Sequence, residues 1–214
     1  MQKDKKIIIF DLGGVVLDLY VERSFAALAK LGISTDMLTE KNCLMNEKIQ
    51  SFDRGDISAD DFFSYIESCL PADIRELSSA SLRERVQDIW CMMLGDFSNE
   101  KLQTIKELRA KGYRVVMLSN TNEGHWQAIE NCFFNASGEP LGSCFDALYL
   151  SYRMHMRKPE KGIFLELMRC EGVAPEECIF FDDSAENCDA ARSVGVDAVL
   201  VERNSSWGSM FAGF

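Results

Sequence analysis

Five short apolar runs constrain the fold of this chain more than any other feature of its sequence. They lie at residues 7–10, 114–119, 147–150, 178–181 and 198–201. Runs of Ile, Val, Leu and Phe without polar alternation are typical of strands that are buried on both faces. Helical patterns lie between or before them, near residues 101–111, 123–133, 160–171 and 185–193. This alternation predicts an α/β fold built on a doubly wound parallel sheet.

The segment 18–88 differs from the rest of the chain because it shows helical periodicity and no strand pattern. Apolar residues recur at helical spacing over the stretches 25–32, 35–50 and 82–94. Ser58 is a good N-cap for a further helix, which Pro71 would end. We therefore predict a small all-helical cap over residues 18–88, inserted into a core of residues 1–17 and 89–214. The tail from residue 204 onward shows no period and receives no assignment.

The net charge and the cysteines of the chain indicate which partners and which cellular compartment to expect. The formal net charge of −11 disfavours nucleic acid and anionic membranes as partners, because both need a basic surface. The eight cysteines form no C-x-x-C pair, which argues against a structural zinc site. Scattered thiols are typical of a reducing compartment, so we expect a cytoplasmic protein without signal peptide or membrane-spanning run. The sequence predicts no particular oligomeric state.

The residues that follow the predicted strands are the second informative feature. Asp11 comes directly after the first strand, and Gly13 and Gly14 follow it. In open parallel sheets, ligands bind at the carboxyl ends of the strands. A carboxylate at that edge is a candidate nucleophile or metal ligand, and glycines let the backbone approach a ligand closely. Asp11 alone could equally be a carboxylate that caps a turn.

Three further groups stand at similar places along the chain. Ser119 and Asn120 end the second strand, Lys158 precedes a helix, and Asp182 and Asp183 follow the fourth strand. Taken singly, Ser119 and the acidic pair could be helix caps and Lys158 a solvated surface charge. Because the strand ends lie side by side, the groups together predict one site. Clustered carboxylates favour Mg²⁺ there, and a hydroxyl, a helix N-terminus and a lysine can hold a phosphoryl group.

In this order the groups resemble the four motifs of the haloacid dehalogenase (HAD) superfamily. The first motif is similar to residues 11–18, Asp-Leu-Gly-Gly-Val-Val-Leu-Asp. The second is similar to the strand that ends in Ser119, and the third to Lys158 before Pro159. The acidic fourth motif is similar to Phe-Phe-Asp-Asp-Ser at residues 180–184.

The resemblance covers nearly the whole chain and implies a Rossmann-like core. A helical cap inserted after the first motif is the family's subclass I arrangement, which residues 18–88 would supply. Residues 118–122 and 157–160 look like those of small phosphatases, including sugar-phosphate phosphatases. The resemblance therefore implies a phosphatase that acts on a small phosphorylated metabolite, such as a sugar phosphate.

Carried over to this sequence, the resemblance implies phosphoryl transfer through a covalent intermediate. Asp11 would attack phosphorus and form an aspartyl-phosphate, which water then hydrolyses. Mg²⁺ would be held by Asp11, the backbone carbonyl of Gly13 and Asp183, with Asp182 nearby or bound through water. Asn187 would steady the acidic loop.

The resemblance also implies the groups that would hold the substrate. Ser119 would donate a hydrogen bond to a phosphoryl oxygen, and Lys158 would offset the negative charge of the phosphoryl group and its nucleophile. Gly14, Asn120 and His125 are further candidates for substrate binding. His125 could instead serve only in packing at the start of its helix.

Two positions depart from the family pattern. The family's second Asp of the first motif, the usual general acid and base, is Gly13 here, and loss of such a group costs about 10²–10⁴ in rate. Three explanations are open. The substrate has a leaving group that needs little protonation, such as an acyl, aryl or anomeric sugar phosphate; another residue, from the cap or around His125, delivers the proton; or the chain is a poor catalyst that binds phosphorylated ligands. Relatives with Gly at this position are grouped with phosphatases, which favours activity. His155 also departs, since related sequences usually have Gly there, and we expect its side chain to face solvent.

Two other functions compete with a phosphatase. In a metal-independent haloacid dehalogenase the same Asp11 would attack carbon, but the paired acids at 182 and 183 favour a cation beside it. A catalytically weak protein that binds a phosphorylated ligand is the second alternative. The presence of Asp11, Lys158 and Asp183 argues against it.

Overall fold

The structure, a computed structural model, describes residues 5–38, 43–76 and 79–211. Its strands are β1 (Ile7–Phe10), β2 (Leu17–Leu19), β3 (Leu94–Phe97), β4 (Arg114–Ser119), β5 (Ala147–Leu150), β6 (Cys178–Asp182) and β7 (Asp197–Leu200). Its helices are α1 (Val21–Lys30), α2 (Cys43–Asp53), α3 (Ala59–Ser68), α4 (Ala72–Arg75), α5 (Ser79–Cys91), α6 (Asn99–Ala110), α7 (Glu123–Ser137), α8 (Ser151–Met154), α9 (Lys161–Glu171) and α10 (Ala185–Ser193). Short 3₁₀ segments occupy Thr35–Leu38, Leu141–Cys144, Pro175–Glu177 and Gly208–Phe211. In these ranges we find no helix with the length and apolar character needed to cross a bilayer.

The predicted parallel sheet is present, and β1 lies at its centre. Five parallel strands follow the order β5-β4-β1-β6-β7 in the described part of the chain. Ile8 of β1 stands level with Val115 on one side and Ile179 on the other. Every residue of β1 is buried, because helices cover both faces of the sheet. Burial on both faces is the reason that this strand reads as a continuous apolar run.

Helices on opposite faces of the sheet make it doubly wound, as the sequence predicts. Alternate residues of β1 point to opposite faces, so Phe10 and Ile9 belong to different clusters. One cluster contains Ile105 of α6, Trp126 of α7 and the neighbouring apolar residues. The other contains Phe164 of α9 with residues of α10.

The prediction that residues 18–88 contain no strand is wrong. β2 pairs in antiparallel fashion with β3, and Leu19 stands opposite Leu94. The helix expected to continue to residue 94 ends at Cys91 instead, and the chain enters β3. A strand of three residues is too short to show alternation in the sequence, and its partner lies far along the chain. This ribbon joins the sheet to the helices of the insertion.

The helices of the insertion have a hydrophobic cluster of their own. Phe52 and Phe62 stack with ring centroids 4.4 Å apart, and Phe63 and Trp90 surround them. Ser58 caps α3 as predicted, because its side chain accepts a hydrogen bond from the Asp61 N–H. Of the helix predicted over 35–50, the structure shows a 3₁₀ turn and then α2, and residues 39–42 lie outside the described ranges. The division into a cap of 18–88 and a core of 1–17 and 89–214 stays a prediction.

The tail that received no assignment packs against the loop after β1. Trp207 is buried, stacks on Phe10 with centroids 4.9 Å apart, and donates its indole N–H to the Val15 carbonyl at 2.8 Å. Asn204 donates its backbone N–H to the Gly14 carbonyl at 2.7 Å. Residues 212–214 lie outside the described ranges. Because these contacts are made with distant parts of the chain, no periodic pattern in the local sequence predicts them.

Candidate functional site

The ends of the central strands bring two carboxylates and one lysine into contact. The Lys158 Nζ lies 2.7 Å from Oδ1 of Asp11 and 2.7 Å from Oδ2 of Asp182. It also donates a hydrogen bond to the Leu118 carbonyl at 2.9 Å. Only 1% of the lysine side chain is exposed, so this ammonium group is not a solvated surface charge. The structure therefore places a buried cation between the acids that follow β1 and end β6.

The charges of this cluster set its protonation. Burial lowers the pKa of Lys158, but the carboxylates of Asp11 and Asp182 outweigh it and raise the pKa overall. Burial raises the pKa of Asp11 to about 7. The negative charges of Asp182 and Asp183 also raise this pKa, and the positive charge of Lys158 lowers it. A divalent cation beside these acids would favour the ionised form of Asp11, which a nucleophile requires.

Both carboxylate oxygens of Asp182 accept hydrogen bonds from the protein. Its Oδ1 accepts the Ser184 N–H at 2.8 Å and the Asn187 amide at 3.0 Å. Its Oδ2 accepts from Lys158 at 2.7 Å and from Asn187 at 3.1 Å. The predicted contact of Asn187 with the acidic loop is thus confirmed. The fully buried Asp182 carboxylate chiefly fixes the position of Lys158.

Three carboxylates fit a hard divalent cation. One oxygen from each of Asp11, Asp182 and Asp183 lies within 4.8 Å of the others. Mg²⁺ binds its ligands at about 2.0–2.1 Å, so oxygens that share one ion lie at most about 4.2 Å apart, and small side-chain shifts would bring these three to that spacing. The Asp183 side chain is 6% exposed, and its Oδ2 accepts a hydrogen bond from Arg203. The donor set is all oxygen, which is the chemistry that Mg²⁺ prefers.

The glycines after Asp11 allow their loop to pack against the acidic loop. Gly14 has φ of +81°, a backbone conformation that favours glycine. A Cβ atom at this position would lie 2.5 Å from Oδ2 of Asp183. A Cβ atom at Gly13 would lie 3.2 Å from Cδ2 of Leu19. Side chains at both positions would therefore disturb what surrounds the candidate metal ligands.

Ser119 and Asn120 have different surroundings at the end of β4. Ser119 is 2% exposed and borders a cavity above the strand ends. The Asn120 amide donates to the Lys158 carbonyl at 2.8 Å and accepts the Lys158 N–H at 2.8 Å. Both ends of this amide hold the segment that carries the lysine, a role that the sequence did not suggest.

The cavity has a volume of about 200 Å³ and lies between the strand ends and the inserted helices. Most of its wall is apolar. Its lining residues are Leu12, Gly13, Leu17, Leu19, Val21, Phe25, Ile49, Asp53, Trp90, Met93, Leu94, Ser119, Asn120, Thr121, Asn122, His125 and Ile129. Sequence reasoning identified Gly13, Ser119, Asn120 and His125 as site residues but missed Asp53, which no motif marks.

His125 both borders the cavity and packs at the start of α7. Its Nε2 lies 3.2 Å from the Trp90 carbonyl and its Nδ1 3.3 Å from the Asn122 amide, and the ring stacks on Trp90. Burial lowers the pKa of His125 to about 4, although the hydrogen bond to Trp90 acts in the opposite direction. The imidazole is therefore neutral near pH 7. His155 is exposed as predicted, with φ of 53° in the left-handed region that favours glycine.

The strand ends of this parallel sheet carry an acidic cluster and a buried lysine, and a covered cavity lies beside them. This arrangement is typical of α/β enzymes that bind their ligand at the carboxyl edge of the sheet. The sequence model of the haloacid dehalogenase-like hydrolases matches residues 5–195. Since the match spans most of the chain, this protein belongs to the haloacid dehalogenase-like hydrolases. It is a hydrolase with the fold that the motifs imply.

Relatives with established activities agree with this assignment. A D-ribitol-5-phosphate phosphatase of Bacteroides thetaiotaomicron is 30% identical over 202 residues, which cover 94% of each chain. A sesquiterpene phosphatase of Aspergillus oryzae is 24% identical over 89% of this chain and 87% of its own. A crystal structure of a HAD family enzyme of Bacteroides thetaiotaomicron has a TM-score of 0.85 and 29% identity, covering 97% of this chain and 98% of its own. A further structure of that enzyme is a complex with magnesium and inorganic phosphate, with a TM-score of 0.82, 28% identity and coverage of 97% and 99%.

Proposed function

We propose that this hydrolase is a Mg²⁺-dependent phosphatase that acts on a small phosphorylated metabolite, with sugar or polyol phosphates as the favoured class. The observation that carries the proposal is the Lys158 bridge, which holds Asp11 and Asp182 at 2.7 Å each beside Asp183. This arrangement supplies a nucleophile, a fixed positive charge and oxygen ligands at one edge of the sheet. The relative that acts on D-ribitol 5-phosphate and the neighbour crystallised with magnesium and phosphate support the same chemistry.

In the proposed reaction an oxygen of Asp11 attacks phosphorus, and the bond from phosphorus to the leaving oxygen breaks. Water then attacks the aspartyl-phosphate, which releases phosphate and restores Asp11. Asp11, the Gly13 carbonyl and Asp183 would hold Mg²⁺, with Asp182 acting through water because its oxygens are already hydrogen-bonded. When bound, the ion offsets the charge that develops on the phosphoryl oxygens.

The remaining site residues receive supporting roles. Ser119 would donate a hydrogen bond to the phosphoryl group, and Lys158 would offset its charge. The Gly14 N–H already donates to the Leu17 carbonyl at 2.7 Å, so Gly14 would contribute only by letting its loop lie close to the substrate. His125, neutral and buried, would contribute to the wall that faces the leaving group. Asn120 would act on the substrate through Lys158, because its amide is bonded to the lysine backbone.

The helices of residues 18–88 would form the cap over the core of residues 1–17 and 89–214. Their separate hydrophobic cluster and their side chains in the cavity wall support this division. A cap of this kind would exclude water and select the leaving group. Absence of nucleic-acid and membrane partners stays a prediction from the acidic charge, and a cytoplasmic location stays one from the scattered thiols.

The test compares wild type with Asp11→Asn, using a panel of sugar and polyol phosphates with Mg²⁺ and with excess EDTA. We expect Mg²⁺-dependent release of phosphate from wild type and none from the variant, which keeps the shape of the nucleophile but not its charge. Asp189→Asn is the matched control, since that carboxylate is exposed and pairs with Arg192 on the surface. Turnover of a haloacid in EDTA would instead establish a dehalogenase. Tight binding of one phosphate ester without hydrolysis would establish a binding protein.

A further inference from the structure

The cavity contains few groups that can donate a proton to a leaving group. Of the residues that line it, only Asp53 and His125 have a carboxyl or imidazole side chain. The position that carries the acid in the family pattern is Gly13, which also lines the cavity. The space beside it is filled by Leu19, whose Cδ2 would lie 3.2 Å from a Cβ atom there. A proton for the leaving group must therefore come from another residue of the cavity wall.

His125 does not fit the role of proton donor. One ring nitrogen faces the Trp90 carbonyl at 3.2 Å, and the other faces the Asn122 amide at 3.3 Å. A neutral ring must place its N–H toward the carbonyl and its lone pair toward the amide N–H. Both nitrogens are then engaged in the wall of the cavity, and no proton remains for the substrate.

Asp53 has the placement that His125 lacks. It is the last residue of α2, and its Oδ1 accepts a hydrogen bond from the Asn122 side chain at 3.2 Å. Asn122 is itself fixed, because its Oδ1 accepts the His125 backbone N–H at 3.0 Å. The second oxygen, Oδ2, makes no hydrogen bond to a described residue. One carboxylate oxygen is thus anchored to the core, and the other is free to meet a ligand.

The charges around Asp53 leave it able to gain and lose a proton near neutral pH. Burial raises the pKa of this carboxyl to about 6, although the Asn122 hydrogen bond and the charges of Arg157 and Arg54 act in the opposite direction. The Arg54 charge is shared with Asp56 and Glu160, which lie 2.9 and 3.2 Å from its guanidinium. A carboxyl of this kind suits general acid–base catalysis.

We propose that Asp53, supplied by the inserted helices, is the general acid and base of the phosphatase reaction and replaces the acid missing at Gly13. This inference rests on the proposed function. As Asp11 binds phosphorus and the phosphorus–oxygen bond breaks, the Asp53 proton passes to the leaving oxygen. In the second step a water oxygen binds phosphorus, its proton passes to Asp53, and the bond from phosphorus to Asp11 breaks.

The experiment separates leaving groups that need a proton from one that does not. It measures kcat and KM of wild type, Asp53→Asn and the control Asp189→Asn, using the best alkyl phosphate of the panel and p-nitrophenyl phosphate. For the alkyl ester, Asp53→Asn should lower kcat by about 10²–10⁴-fold, whereas for the p-nitrophenyl ester the change should stay below about tenfold. Asp189→Asn removes an exposed carboxylate that pairs with Arg192 on the surface and should change neither rate.

Other outcomes overturn the inference. Equal losses of kcat for both esters would mean that Asp53 supports the fold of the site, and a rise in KM alone would mean that it binds a substrate hydroxyl. A wild type that hydrolyses only the p-nitrophenyl ester would show that no proton donor is present. In each case Asp11→Asn still tests the proposed function separately, because that function fails only if wild type hydrolyses neither ester.

Discussion

Replacement of Gly14 by alanine separates the strain of the backbone from the damage to the candidate metal site. Gly14 has φ of +81°, and a Cβ atom would lie 2.5 Å from Oδ2 and 3.0 Å from Cγ of Asp183. Both atoms belong to a side chain that can rotate, so the fold can relieve the clash by moving the Asp183 carboxylate. That movement takes the carboxylate away from its place beside Asp11.

Gly138 provides the matched control. It has φ of +75°, close to that of Gly14, and a Cβ atom there would meet nothing within 4 Å. Alanine in left-handed backbone costs about 1–2 kcal/mol, so both variants should lose that amount of unfolding free energy. Only Gly14→Ala should also weaken Mg²⁺ binding, by about 10–100-fold, the effect seen when the support of a metal ligand is disturbed.

Urea unfolding without metal measures the first quantity, and calorimetric titration with Mg²⁺ measures the second. Phosphatase activity should fall together with the affinity for Mg²⁺. The reasoning is refuted if Gly14→Ala and Gly138→Ala bind Mg²⁺ equally well. It is also refuted if Gly14→Ala loses several times more stability than the control, since the clash would then be absorbed by the backbone and not by Asp183.

Three further predictions concern stability. Lys158→Met leaves two buried carboxylates without their cation and should lower the unfolding free energy at pH 7 by about 3–5 kcal/mol. Urea unfolding measures this change, and a loss below about 1 kcal/mol would contradict the buried bridge. His125 has a pKa of about 4 in the folded protein, so the unfolded chain binds the proton first and stability is lost as the pH falls from about 6.5 to 4. His125→Gln should lack this part of the pH dependence, and identical slopes in wild type and variant would contradict it. Trp207→Phe replaces the indole with a smaller aromatic ring and removes the hydrogen bond to the Val15 carbonyl, which should cost about 1–3 kcal/mol. An unchanged midpoint of thermal unfolding would contradict a stabilising role of the tail.

The three central strands, β1, β4 and β6, were predictable because they are buried on both faces, whereas the edge strands β5 and β7 are only partly buried. Ile7–Phe10 is wholly apolar and Arg114–Ser119 is polar only at its two ends, and the structure places both in the sheet with the predicted bounds. The site was predictable for a related reason. Parallel strands end at one edge, so the polar residue after each buried run had to lie near the others. Lys158 was the less obvious member, and only the order of the motifs distinguished it from a surface charge.

Features that depend on contacts between distant segments left no such pattern. The three residues of β2 pair with β3, and neither strand is long enough to alternate visibly. Trp207 follows a stretch of Ser and Asn, yet it packs in the core against Phe10. Asp53 lies at the end of a helix among ordinary surface-type residues, and its relation to the cavity depends on how the inserted helices pack over the sheet. The spacing of residues along the chain does not predict how those helices pack over the sheet.

Leu19 connects these unpredicted features to the departure from the family pattern at Gly13. Its backbone N–H donates to the Asn204 side chain at 2.8 Å, and its carbonyl accepts from the same amide at 3.1 Å, so a residue of the tail fixes its position. The side chain fixed in this way fills the space beside Gly13 and forms part of the apolar cavity wall. An aspartate at position 13 would need the Leu19 side chain to give way, because its Cδ2 lies 3.2 Å from the Cβ position. The position that lacks the acid is thus packed against an apolar part of the cavity wall, and the proton must come from another residue of the lining, which we infer is Asp53.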